Sequence, residues 1–181
     1  VAEEFIEDDK CTEQTETASP KCGLDGLRVL SLIECLAPTG VMRTPPEELL
    51  NRHQQACQRL KWSVGISPHA PYTVPLNILE ELVALAVNRE LPLAMHIAET
   101  EEEITFLATG GGAFRDVLEQ LSAYRGGVFT PGHAPADVLE VLSRARRVLL
   151  IHGNYIGPSE VCSLKPFRDR MAVVYCPRSH D

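Results

Sequence analysis

Short apolar runs alternating with amphipathic helical segments predict an α/β protein built on a parallel sheet. Three observations carry this. The runs around residues 27–36, 91–97, 147–153 and 171–177 are nearly continuous in apolar residues, as strands buried on both faces are. The segments between them repeat apolar residues at helical spacing. Prolines sit at the starts of several of these segments, where a missing N–H costs nothing.

The chain opens on a stretch with no apolar periodicity. Residues 1–20 hold seven of the 25 acidic residues of the chain and one of its 17 basic ones, so residues 1–22 read as an acidic, poorly ordered leader or surface excursion. Residues 23–181 then form one domain. LRVLSLIECL (27–36) is the first strand, and EELLNRHQQACQRL (47–60), entered through Pro45 and Pro46, is a helix. WSVGI (62–66) is the second strand and leads into the loop SPHAPYTV. PLNILEELVALAVNR (75–89) is an amphipathic helix, and LPLAMHI (91–97) is the third strand.

After that strand, AETEEE reads as an acidic turn in which Glu101, Glu102 and Glu103 are solvated at a helix N-terminus, and residues 113–121 form a helix beyond Gly110, Gly111 and Gly112. GGVFTPGH (126–133) is a loop that carries at most a short extended piece. Residues 136–146 form a helix, RVLLIHG (147–153) the fourth strand, residues 158–169 a short helix and MAVVYCP (171–177) the last strand.

Composition narrows the function. The net charge of −8 lacks the basic face that phosphate contacts require, so nucleic acid is excluded as a partner. No apolar run approaches the roughly 20 residues of a membrane span, and the N-terminus has no signal-peptide pattern, so no membrane partner and a cytoplasmic location are expected. Six cysteines without a CxxC pair read as reduced thiols, several of them buried. No P-loop and no GxSxG nucleophile elbow occurs.

Three histidines mark strand ends: His69, His96 and His152. In parallel sheets, ligands and catalytic groups collect at the carboxyl ends of strands, because the loops there open on one face. Each alone is more often structural; together they point to a site. His96 and Glu99 lie three residues apart where a strand becomes a loop, a pairing that suits metal-assisted hydrolysis with imidazole as ligand and carboxylate as proton carrier. Pro68 and Pro71 hold the backbone on either side of His69, and Tyr72 offers an aromatic wall, a hydroxyl or plain packing. Gly153 lets another group approach His152. Arg178, just past the last strand, suits either an anionic or polar substrate group or a structural bond to carbonyls. His53 and His133 read as surface or structural.

SPHAPYTV, LPLAMHIAET with a further acid close behind, LLIHGNY and VVYCPRSH, in this order and at these distances, resemble the amidohydrolase superfamily, in the branch that includes cytosine deaminase, chlorohydrolases and adenosine-type deaminases. The resemblance runs from about Leu27 to the C-terminus. It implies a partial (β/α)8 TIM barrel comprising strands three to seven. It also implies a divalent metal, zinc first and iron second, held by His96. Glu99 would be the proton shuttle and His152 the residue that polarises the reacting carbon or holds water. His69 would contact substrate; Tyr72 and Arg178 stay candidate substrate contacts on the residue reading alone. The implied reaction is attack of metal-bound hydroxide on a ring carbon of an aminopurine or aminopyrimidine, with ammonia leaving.

The pattern departs from the family in lacking the first-strand His-x-His and the eighth-strand aspartate; Asp181 follows the seventh-strand motif directly and does not replace it. Little activity and weak metal affinity are therefore expected of this polypeptide alone, with its ligand set incomplete. The alternatives are hydrolytic dechlorination at the same type of site, or a non-catalytic barrel relative serving as a binding or assembly subunit. A small heterocyclic substrate is the expected partner, and a homo-oligomer is compatible with the sequence.

Overall fold

The computed structural model describes residues 28–179. The acidic leader, Cys11, Cys22 and Asp181 lie outside the described residues. Five strands form one parallel sheet in chain order: β1 (Leu30–Cys35), β2 (Ser63–Pro68), β3 (Leu93–Ile97), β4 (Val148–His152) and β5 (Met171–Val174). Each strand therefore pairs with its sequence neighbour through a helical crossover, the arrangement of a singly wound α/β barrel wall. The register sets His96 opposite Ile151 and Ile97 opposite His152, so the ends of β3 and β4 finish level.

Between the strands lie α1 (Pro46–Leu60), α2 (Leu76–Asn88), α3 (Glu101–Thr109), α4 (Ala113–Gln120), α5 (Pro135–Leu142) and α6 (Pro158–Leu164). Their boundaries follow local chemistry. Helix α1 starts at a proline and ends at Lys61 in the left-handed region, while α3 ends at Gly110 with φ +66°, a conformation glycine adopts without strain. Helices α2 and α5 turn Leu79, Leu82, Val83, Leu139 and Leu142 onto the sheet, where they meet Leu93, Met95, Ile97 and Leu150 in the main core. A smaller cluster of Phe106, Leu118 and Phe129 lies under α3 and α4. Gly65 has no room for a side chain: a Cβ there would come within 2.6 Å of Leu32 Cδ2 and 2.7 Å of the Pro92 carbonyl.

The expected strands are all present, and residues 126–133 contain no strand. Two expectations change. The helix expected over residues 158–169 stops at Leu164 and continues as one 3-10 turn, Lys165–Phe167. The acidic turn after β3 is the first turn of α3, because the Thr100 hydroxyl accepts the Glu103 N–H at 3.3 Å and caps it. Glu101 and Glu102 are exposed as expected, but Glu103 is fully buried. The four cysteines described are free, with Cys35 and Cys57 buried.

Candidate metal and proton-transfer site

The carboxyl ends of β2, β3 and β4 bring His69, His96, Glu99 and His152 together. His96 Nδ1 lies 3.0 Å from His152 Nε2, and Glu99 Oε1 lies 3.3 Å from the same Nε2. The His69 and His96 rings are 5.5 Å apart, centre to centre. Tyr72 meets His69 edge-on at 5.7 Å but stacks on Phe114 at 4.2 Å, so its ring is a packing element as well as a wall of the site. Arg178 is exposed and makes no ion pair among the described residues. His133 faces Asp137 at 3.6 Å, and His53 contacts Ser31 and Cys57.

Hydroxyl groups fix the orientation of two of these imidazoles. Thr73 donates its proton to the Ala70 carbonyl at 3.1 Å, so its oxygen accepts from His69 Nδ1–H at 2.7 Å. Ser179 does the same for His152: it donates to the Cys176 carbonyl at 2.9 Å and accepts from Nδ1–H at 2.8 Å. Each hydroxyl has one proton to give, and each gives it to a carbonyl three residues earlier. Both histidines therefore carry a hydrogen on Nδ1 and turn Nε2 towards the site. With His152 Nε2 bare, His96 Nδ1–H donates to it, which leaves His96 Nε2 with its lone pair free.

Electrostatics favour the same state. Burial, reinforced by His69 and His152, holds His96 below the usual histidine range against the opposing pull of Glu99 and Glu34, so its ring is neutral and able to ligate. Burial pushes the Tyr72 hydroxyl up to about 12, with Glu103, Glu99 and Glu34 adding to the effect. Glu103 is pushed up to about 7 by burial, opposed by the N–H groups of Ala98 and Glu99 that its carboxylate accepts.

The donor set fits a divalent metal ion. His96, Glu99 and His152 each offer a ligand atom, all within 4.8 Å of one another. Ligands of a tetrahedral zinc stand about 3.3 Å apart for metal–ligand bonds of about 2 Å, so only small side-chain movements separate this cluster from coordination. A cavity of about 600 Å³ adjoins the His69 loop, lined in part by Gly40, Pro71, Val74, Phe106 and Val128.

Sequence reasoning passed over Thr73, Glu103, Asn154 and Ser179. Asn154 Nδ2 donates to the Glu99 carbonyl at 3.1 Å, with Ser179 O and Oγ both at 3.4 Å. The T-x-x-E spacing of Thr100 and Glu103 is a readable capping signal. The roles of Thr73 and Ser179 have none, since a hydroxyl that sets a tautomer is indistinguishable in sequence from any loop hydroxyl.

No family model matches the chain. It is 33% identical over 127 residues to the aminodeoxyfutalosine deaminase of Deinococcus radiodurans, a match covering 65% of this chain and 29% of the relative. It is 30% identical over 171 residues to the 5-methylthioadenosine/S-adenosylhomocysteine deaminase of Desulforamulus reducens, covering 94% of this chain and 34% of the relative. The chain belongs to the amidohydrolase superfamily. It spans about a third of the length of these relatives. The crystal structure of Helicobacter pylori aminofutalosine deaminase superposes with a TM-score of 0.65 at 18% identity over 83% of this chain and 38% of that one, which shows the shared amidohydrolase barrel fold. Among the described residues, no helix is long and apolar enough to cross a membrane.

Proposed function

We propose that this chain carries the central part of a metal-dependent deaminase site acting on an aminopurine nucleoside. The observation that carries the reading is the convergence of His96, Glu99 and His152 at the level ends of two adjacent strands. The named activities of the sequence relatives support deamination over dechlorination. Overall, water replaces the exocyclic amino group of the ring: the water oxygen becomes the carbonyl oxygen and the nitrogen leaves as ammonia.

His96 is the ligand this chain offers to a divalent metal, through the Nε2 lone pair left free by its bond to His152, with zinc first and iron second for an imidazole and carboxylate set. When bound, such an ion acts as a Lewis acid and lowers the pKa of water. Glu99 takes the proton lost by water and delivers it to the departing nitrogen. Glu99 Oε1 lies 3.3 Å from His152 Nε2, which places the proton carrier beside the imidazole that orients the water. His69 presents Nε2 to the substrate, Tyr72 walls the site beside it, and Arg178 is free to approach a polar substituent.

The test is to express the protein as its gene encodes it and screen it against aminopurine nucleosides, aminopyrimidines and chlorotriazines, with zinc or iron added back. Ammonia release from an aminopurine nucleoside is expected. The Glu99→Gln variant is expected to lose about 100-fold or more in kcat while retaining its metal. Chloride release alone, or full activity in Glu99→Gln, would overturn the reading.

A further inference from the structure

We propose that Glu103 and Asn154 are positioning residues for Glu99, clamping its backbone N–H and C=O from two different elements. The inference rests on the reading of Glu99 as the proton carrier.

Every polar backbone group from the Ile97 carbonyl to the Glu99 carbonyl is bonded. Glu103 Oε1 accepts Ala98 N–H at 2.7 Å and Oε2 accepts Glu99 N–H at 3.1 Å. Gly153 N–H donates to the Ile97 carbonyl at 2.9 Å and Tyr155 N–H to the Ala98 carbonyl at 3.0 Å. Asn154 Nδ2 closes the set on the Glu99 carbonyl at 3.1 Å. The clamp holds an unfavourable backbone, since Ala98 sits at φ +51° and His152, across the ladder, at φ +72°.

Helix capping alone does not explain Glu103. In a capping box, the carboxylate at this position returns to the N–H of the cap residue, here Thr100. Glu103 instead reaches past Thr100 to the two N–H groups before it, which belong to the turn that aims Glu99. It does so at 0% exposure and with no cationic partner among the described residues, an arrangement that an apolar side chain would avoid. Asn154 meanwhile reaches Ser179, the partner of His152, so one amide sets the spacing between Glu99 and the imidazole it faces.

The test uses Glu103→Gln, which retains shape but turns an amide NH2 towards one of the two N–H groups, and Asn154→Asp, which turns a carboxylate oxygen towards the Glu99 carbonyl. In the protein as its gene encodes it, with 5-methylthioadenosine and adenosine as probes, each variant is expected to lose about 10- to 100-fold in kcat. KM is expected to change less than about twofold, with metal content unchanged, because the clamp acts on the orientation of a proton carrier and not on binding. Amide hydrogen exchange is expected to quicken at Ala98 and Glu99 in Glu103→Gln and to stay unchanged in α5. Wild-type kcat in both variants, unchanged exchange at residues 98–99, or exchange that rises throughout the molecule would each overturn the proposal. Should the wild-type protein deaminate neither probe, the deaminase reading fails separately, and exchange at residues 98–99 still decides the clamp.

Discussion

Strands β3 and β5 are both short, parallel and apolar, yet they are held differently. Leu93, Ala94, Met95 and Ile97 of β3 are fully buried, with a strand on each side, whereas β5 pairs with β4 alone among the described residues and leaves Val173 59% and Val174 41% exposed. Both strands lead into the site. Beyond β3 come the fully bonded turn and Glu99; beyond β5 comes Ser179, which touches His152 through one hydroxyl. The contrast teaches that, among the described residues, Glu99 follows a buried strand and a fully bonded turn, whereas Ser179 reaches His152 through a single hydroxyl.

The sharpest way to break this contrast is Met95→Ala, which removes a side chain with no exposure from the centre of the core. A loss of about 2–5 kcal/mol in unfolding free energy by chemical denaturation is expected. Next comes the pH dependence of stability. The Glu103 carboxyl is raised from 4.5 to about 7 by burial, so between those values the folded state holds its proton more tightly than the unfolded state. Stability therefore falls as pH rises through this window, by about 3 kcal/mol for this group. Glu103→Gln removes that component, and the difference between the two pH–stability curves measures it.

A smaller effect is expected at the edge. Ser179→Ala deletes the acceptor for His152 Nδ1–H and is expected to lower kcat about tenfold, with nitrogen NMR of the histidines reporting a shift of tautomer. The smallest belongs to Val173→Thr, 59% exposed among the described residues, where a change below about 0.5 kcal/mol is expected for the 181-residue chain. A Val173→Thr loss as large as that of Met95→Ala would remove the distinction between centre and edge.

The sequence reveals the same division. β3 and β4 are legible because strands buried on both faces are almost unbroken apolar runs, and their ends expose His96, Glu99 and His152 as the polar residues that follow. Glu103 defeats the reading for a physical reason: three glutamates in a row look like one solvated helix start, and only the turn at Ala98 decides which of them folds inward. Tyr72 is ambiguous in sequence, and the structure gives it both a packing partner in Phe114 and a place beside His69. Thr73, Asn154 and Ser179 depend on side-chain contacts made between separate loops or with a loop's own carbonyls, and no spacing rule announces them.

The chain-order arrangement of the strands also sets when the site can exist. The connections between successive strands comprise residues 36–62, 69–92, 98–147 and 153–170, so the ladder between β3 and β4 closes over the longest of them. Loop closure costs more entropy as the connection lengthens, which makes this ladder the least local pairing in the sheet. His96 meets His152 only across it. A chain in which only β1 to β3 have paired holds His96 and Glu99 without His152, so the least local pairing of the sheet is the one that completes the cluster.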